Sequence, residues 1–139
     1  MAVGASEDII ETLYAYGNDL GIAFQMRDDI LDYVGSESGK PLCGDLRERR
    51  MTLPLILVLE NSSKSRRKEL LTCLAEINDK LSNVEYLHDS VISEGGIEMA
   101  NEQISFYISS AIDHLRRLEK SPYRDALENL ADFIATRSK

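Results

Sequence analysis

The chain has 139 residues, and its 16 lysines and arginines against 24 aspartates and glutamates give a formal net charge of −8. This length fits one domain or part of one, and so acidic a chain lacks the basic surface that nucleic-acid binding requires. The longest apolar run, 53–59, is too short for a transmembrane helix of roughly 20 residues, and neither a signal peptide nor a disulfide framework is indicated, so we expect a cytoplasmic protein.

Helical periodicity runs through the sequence, and no segment alternates apolar and polar residues as a half-buried strand does. The first helix is predicted to begin after Ser6, a good N-cap, and to continue to about residue 34. A loop rich in Gly, Ser and Pro is expected at 35–45. Further helices are predicted at about 51–60, 64–81, 83–95, 97–120 and 121–135, the last starting with Ser121 as N-cap and Pro122 as first helical residue. The predicted fold class is therefore all-α, a helical bundle.

Several residues inside these elements carry expectations of their own. Gly17 and Gly21 lower the helix propensity by about 1 kcal/mol each, which predicts close approach of a neighbouring helix. Cys43 lies in the predicted loop without a histidine nearby, so we expect it to be exposed and incidental. His88 and His114 fall on different helices, which favours surface or interhelical roles over a metal site.

Residues 24–32 read FQMRDDILD and contain a cluster of carboxylates on a predicted helix. Gln25, Asp28, Asp29 and Asp32 share one helix face. Like charges at this spacing destabilise a helix by a few tenths of a kcal/mol per pair, so we expect a cation to bind there. All-oxygen ligands favour Mg²⁺ over zinc. Taken alone, however, an acidic triplet of this kind is more often a solvated helix face.

A basic cluster follows the aspartates in a chain that is acidic overall. It contains Lys40, Arg47, Arg49 and Arg50. Cations next to a carboxylate-held metal are what a diphosphate requires. Asp45 lies among them, as a water-mediated metal partner or as an organiser of the arginines. The two clusters together, joined by a Gly-containing loop, favour a binding site over two solvated surfaces.

The order of these elements resembles the C-terminal part of the trans-isoprenyl diphosphate synthases, the polyprenyl synthetase family. The segment 24–32 matches the family's second aspartate-rich motif, FQxxDDxxD, and the residues at 39–40, 44–46 and 52–54 match the GK, GxDL-like and TLP elements that follow it. The resemblance implies part of an isoprenoid-synthase-type helical bundle, with residues 1–139 forming the C-terminal part of a single domain.

The resemblance also implies Mg²⁺-dependent prenyl transfer, in which an allylic diphosphate loses pyrophosphate and alkylates isopentenyl diphosphate. By carry-over, Asp28 is the most direct Mg²⁺ ligand, and Asp29 and Asp32 act directly or through water. The allylic diphosphate is expected to contact Gln25 and Lys40, with Arg50 supplying a further positive charge.

Two departures from the family pattern shape the functional expectation. The family usually reads EGK where this chain has Glu48, Arg49 and Arg50, so an arginine stands in place of glycine. The family's first aspartate-rich motif is not found in the sequence. We therefore expect a C-terminal fragment that is inactive alone and that self-associates, as a homodimer, through the apolar faces of 6–34 and 53–59.

Two alternative functions belong to different classes of protein. The first is a non-catalytic helical partner subunit or scaffold with the same fold, which would have no need of clustered negative charge. The second is a relative of the terpene cyclases, which is disfavoured because their second metal motif usually pairs Asn, Ser or Thr with Glu.

Overall fold

The computed structural model describes residues 6–35, 43–77 and 81–137, and within these ranges the chain forms seven α-helices and no strand. The helices are α1 (Glu7–Val34), α2 (Gly44–Arg47), α3 (Leu53–Glu60), α4 (Lys64–Ala75), α5 (Leu81–Ser93), α6 (Gly96–Leu115) and α7 (Pro122–Thr136). The predicted all-α class is confirmed. No helix in the described ranges is long and apolar enough to cross a membrane.

Serine residues cap the N-termini of three helices, as their preference for this position predicts. The hydroxyl of Ser6 accepts a hydrogen bond from the amide of Ile9 at 3.3 Å, and Ser63 does the same for α4. The hydroxyl of Ser121 caps α7, whose first residue is Pro122. Each bond provides an acceptor for an amide that has no partner inside its helix.

The described chain divides into two compact units. Unit 1 contains Ser6 and the part of α1 up to Arg27, together with Glu102–Arg137. The Tyr16 hydroxyl donates to the backbone oxygen of Leu127 at 2.7 Å. The Asp19 carboxylate accepts a hydrogen bond from Ser110 at 2.6 Å and lies 3.2 Å from Nε2 of His114, which confirms an interhelical role for this histidine.

Unit 2 is Asp28–Asn101, with the last turns of α1, all of α2 to α5 and the start of α6. Nε2 of His88 lies 2.8 Å from the backbone oxygen of Tyr33, so this histidine is also interhelical. Arg66 of α4 binds Glu94 at 2.7 Å and Ser90 at 3.0 Å. The core of unit 2 is made of the side chains of Tyr33, Cys43, Leu46, Leu55, Val58, Leu59, Leu70, Leu74, Ile77, Val84, Leu87 and Val91.

Two packing expectations were wrong. No heavy atom lies within 4 Å of the position that a Cβ would take at Gly17 or Gly21, so no neighbour approaches these glycines in the described chain. The apolar segment 53–59 is not left uncovered either, because Leu55, Leu57, Val58 and Leu59 are buried and α3 packs against α4 and α5.

Candidate metal and diphosphate site

The three aspartates of the DDxxD motif lie at the C-terminal end of α1, within unit 2. Ile30 and Tyr33, each 1% exposed, fix this end of the helix in the core. Asp28, Asp29 and Asp32 are half-buried at its edge. The apolar positions of the motif therefore set the orientation of the acidic ones.

Asp29 provides a hydrogen-bond acceptor for the start of α3. Its Oδ2 lies 3.1 Å from the amide nitrogen of Leu53, the first residue of that helix. Thr52 is the N-cap residue, but its side chain makes no capping hydrogen bond. The Asp29 carboxylate thus provides an acceptor for the first of the α3 amides that have no partner inside the helix.

Asp32 binds the segment that begins α2. Its Oδ2 accepts a hydrogen bond from the amide of Asp45 at 3.2 Å, and its backbone oxygen accepts one from Cys43 at 2.8 Å. Burial raises the pKa of the Asp32 carboxyl, and the charges of Asp45 and Asp29 raise it further, against hydrogen bonds from the amides of Asp45 and Gly44 that lower it. A cation placed here would relieve the repulsion between these carboxylates.

Arg50 is linked to the same group of residues through Asp45. Its guanidinium lies 3.5 Å from Oδ1 of Asp45 and 2.8 Å from Oε2 of Glu48, and its side chain is 66% exposed. The amide of Arg50 also donates to the backbone oxygen of Asp45 at 2.8 Å. The structure therefore brings Asp32, Asp45 and Arg50 together, three of the residues singled out from the sequence.

The other predicted residues are described in part. Gln25 is exposed on α1 and belongs to unit 1, whereas Lys40 lies outside the described residues. Across the described ranges, no three His, Cys, Asp or Glu side chains are arranged to hold a metal ion among themselves. Mg²⁺ commonly takes one or two carboxylates and completes its shell with water and phosphate oxygens.

Two residues near the site have a backbone that the sequence reading did not predict. Cys43 and Arg49 have φ angles of 62° and 59°, in the left-handed region that costs a non-glycine residue roughly 1–2 kcal/mol. For Arg49 the family pattern, with glycine at this position, contained the signal. Cys43 is 4% exposed rather than exposed as expected, and burial, followed by the charge of Asp32, raises the pKa of its thiol to about 11.

Comparison with known proteins shows the family to which the chain is similar. Residues 1–91 match the model of the polyprenyl synthetase family. The chain is 35% identical over 136 residues to a short chain isoprenyl diphosphate synthase from Methanothermobacter thermautotrophicus, which covers 96% of this chain and 41% of that protein.

Solved structures of enzymes from this family are also similar to the chain. A polyprenyl synthase from Caulobacter crescentus, complexed with calcium and isoprenyl diphosphate, superposes with a TM-score of 0.86 at 31% identity, over 98% of this chain and 42% of that one. A geranylgeranyl pyrophosphate synthase from Corynebacterium glutamicum, complexed with isoprenyl diphosphate and magnesium, has a TM-score of 0.81 at 30% identity, over 96% and 39%. The chain spans about two fifths of the length of these relatives.

Proposed function

Because the chain belongs to the polyprenyl synthetase family, we propose that it contributes the second Mg²⁺–diphosphate half-site of a prenyltransferase in isoprenoid biosynthesis. The proposed reaction joins an allylic diphosphate to isopentenyl diphosphate. The observation that carries the proposal is the connection of the DDxxD aspartates to Asp45 and Arg50, through the hydrogen bond of Asp32 and the ion pair of Arg50. Carboxylates and a cation then lie side by side, as a metal-bound diphosphate requires.

The metal would be held mainly by Asp28, with Asp29 and Asp32 acting directly or through water. Support comes from the all-oxygen donor set and from the position of the Asp32 carboxyl, whose pKa is raised first by burial and then by the negative charges of Asp45 and Asp29, which a cation would offset. When bound, Mg²⁺ would neutralise the negative charge that develops on the oxygens of the leaving diphosphate. Asp45 would contribute through a bridging water or by orienting Arg50.

The diphosphate oxygens would be bound by Gln25, Lys40 and Arg50. In the described structure Arg50 is paired with Glu48 and Asp45 at the surface. Exposed ion pairs of this kind contribute about 0–1 kcal/mol, so the guanidinium can exchange its carboxylate partners for a diphosphate at little cost. Its planar fork suits two phosphate oxygens at once.

The isolated chain is not expected to turn over, because its 139 residues contain a single DDxxD pattern. We propose that residues 1–139 are the C-terminal part of one domain and that the chain forms a homodimer. Exposed apolar side chains on α1 support self-association, and they include Ile9, Ile10, Leu13 and Tyr14. Light scattering coupled to size exclusion tests this directly, and a strictly monomeric chain would refute it.

Calorimetric titration of the chain with inorganic pyrophosphate, with and without Mg²⁺, tests the half-site. We expect binding to require Mg²⁺ and Asp28→Asn to weaken it by at least the roughly 10- to 100-fold that is typical for loss of a residue that only supports a metal ligand. Asp89→Asn is the matched control, since the Asp89 side chain is 80% exposed and contacts His88. Binding that does not depend on Mg²⁺, or that Asp28→Asn leaves unchanged, would reject the half-site and favour the non-catalytic scaffold.

A further inference from the structure

The segment 43–53 contains α2 and leads into α3. Both ends of this segment are attached to α1. Near the first end, Oδ2 of Asp32 accepts the amide of Asp45 at 3.2 Å. At the second, Oδ2 of Asp29 accepts the amide of Leu53 at 3.1 Å. The two aspartates are three residues apart on one helix, so a single turn of α1 holds both attachment points.

Within the segment 43–53, the backbone adopts costly conformations at two residues, one before the Asp45 attachment point and one between the two points. Cys43 and Arg49 both have positive φ angles, which side chains other than glycine rarely adopt. Conformations of this kind persist where the surrounding structure over-determines them. The hydrogen bonds from Asp29 and Asp32 to backbone amides are suited to that role, because a carboxylate acceptor makes a stronger hydrogen bond than a neutral one.

We propose that Asp29 and Asp32 are positioning residues, which fasten the segment 43–53 to the end of α1 and so hold Asp45 and Arg50 beside the DDxxD motif. In each case the hydrogen bond that fastens the segment is made by Oδ2 of the carboxylate. The consequence for catalysis depends on the proposed function, whereas the fastening itself does not. An aspartate that served only as a metal ligand would have no effect on the segment in the absence of metal.

Amide hydrogen exchange in the metal-free, full 139-residue chain tests the fastening. In Asp29→Ala we expect the Leu53 amide to exchange on the order of 10- to 100-fold faster than in the wild type, relative to amides of α4 and α5. Asp32→Ala should have the same effect on the amide of Asp45. Asp89→Ala, on the exposed surface of α5, is the control and should alter neither amide.

The asparagine variants separate hydrogen bonding from charge. Asparagine keeps a side-chain oxygen acceptor, so Asp29→Asn and Asp32→Asn should restore most of the protection that alanine removes. The proposal is overturned if the amides of Leu53 and Asp45 are equally protected in the wild type and the alanine variants. It is also overturned if asparagine restores nothing.

A donor-side variant keeps the proposal testable if the alanine variants fail to fold. Leu53→Pro removes the amide hydrogen while leaving Asp29 in place. Proline is tolerated at the first helical position, and the extended backbone of Thr52 suits a residue that precedes proline. Leu53→Ala removes the same side chain but keeps the donor. We expect Leu53→Pro to have a folding equilibrium constant about tenfold below that of Leu53→Ala, and equal values would overturn the proposal.

These measurements contain neither metal nor diphosphate. Failure of pyrophosphate binding would therefore reject the proposed function and leave the fastening intact. Unchanged amide protection would reject the fastening and leave the half-site intact.

Discussion

Replacing Gly96 with alanine should destabilise the chain, although alanine is ordinarily favoured over glycine within helices by about 1 kcal/mol. Gly96 is the first residue of α6 and is buried. A Cβ built there would lie 2.7 Å from Cγ1 of Val91, 2.8 Å from the backbone oxygen of Pro54 and 3.0 Å from Cγ2 of Val58. The valine methyls can shift, but the carbonyl of Pro54 belongs to the backbone of α3 and cannot rotate away.

The size of the effect follows from these contacts. Inserting a methyl group into a packed core costs typically 1–3 kcal/mol, and contact with backbone places Gly96→Ala in the upper part of that range. Subtracting the gain in helix propensity leaves a net loss of about 2 kcal/mol. For a chain of this length, that loss lowers the melting temperature by roughly 6–10 °C.

The assay is urea unfolding of Gly96→Ala beside a matched control, Gly17→Ala. No heavy atom lies within 4 Å of a Cβ at Gly17, so alanine there should stabilise the chain by roughly 0.5–1 kcal/mol. The two substitutions are chemically identical, but their effects on the unfolding free energy should have opposite signs. Equal changes in unfolding free energy would refute the steric reasoning, and a gain in stability at Gly96 would show that the carbonyl of Pro54 yields.

Three further predictions follow from backbone strain, burial and charge. Arg49→Gly should raise the unfolding free energy in urea by about 1 kcal/mol, because glycine adopts its φ of 59° without a steric penalty. In thiol labelling at pH 8, Cys43 should react more slowly than Cys73, since it is more buried and its pKa is raised to about 11; equal rates in the native state would contradict this. Arg66→Lys should cost about 1 kcal/mol in thermal unfolding, because lysine lacks the planar fork whose two nitrogens bind the two carboxylate oxygens of Glu94 and the site is partly exposed.

Helix starts were predictable from the sequence where a single residue determines them. Ser6 and Ser121 act as N-caps within three residues of the amides they bind, so the signal is local. The boundary between α4 and α5 was predicted too late, since the first of these helices was expected to run over 64–81 and α4 ends at Ala75. Leu74 and Ile77 are buried in the same core cluster. Apolar periodicity therefore continues past the end of the helix and hides the boundary.

The site was predictable as a set of residue types, but its hydrogen-bond partners were not. The DDxxD spacing identifies a helix face with three carboxylates, and the resemblance supplies the chemistry. The amide that Asp29 binds is 24 residues away in the sequence. That contact depends on how α3 packs against the end of α1, a long-range feature that helical periodicity does not contain. Asp45 was singled out only because it is a carboxylate among basic residues. Its ion pair with Arg50 depends on the turn between the two residues.

In the proposed half-site, the charges at the end of α1 would make the binding of a cation and of a diphosphate mutually favourable. Arg50 supplies a positive partner to Asp45, and Asp45 in turn lies beside Asp32. A diphosphate that draws Arg50 away would leave these two carboxylates less compensated and would add its own negative charge. A cation binding first would compete with Arg50 for the same carboxylates. In the proposed half-site, simultaneous binding would give each charge a partner, because the metal would be held by the carboxylates and Arg50 would offer its guanidinium to the diphosphate.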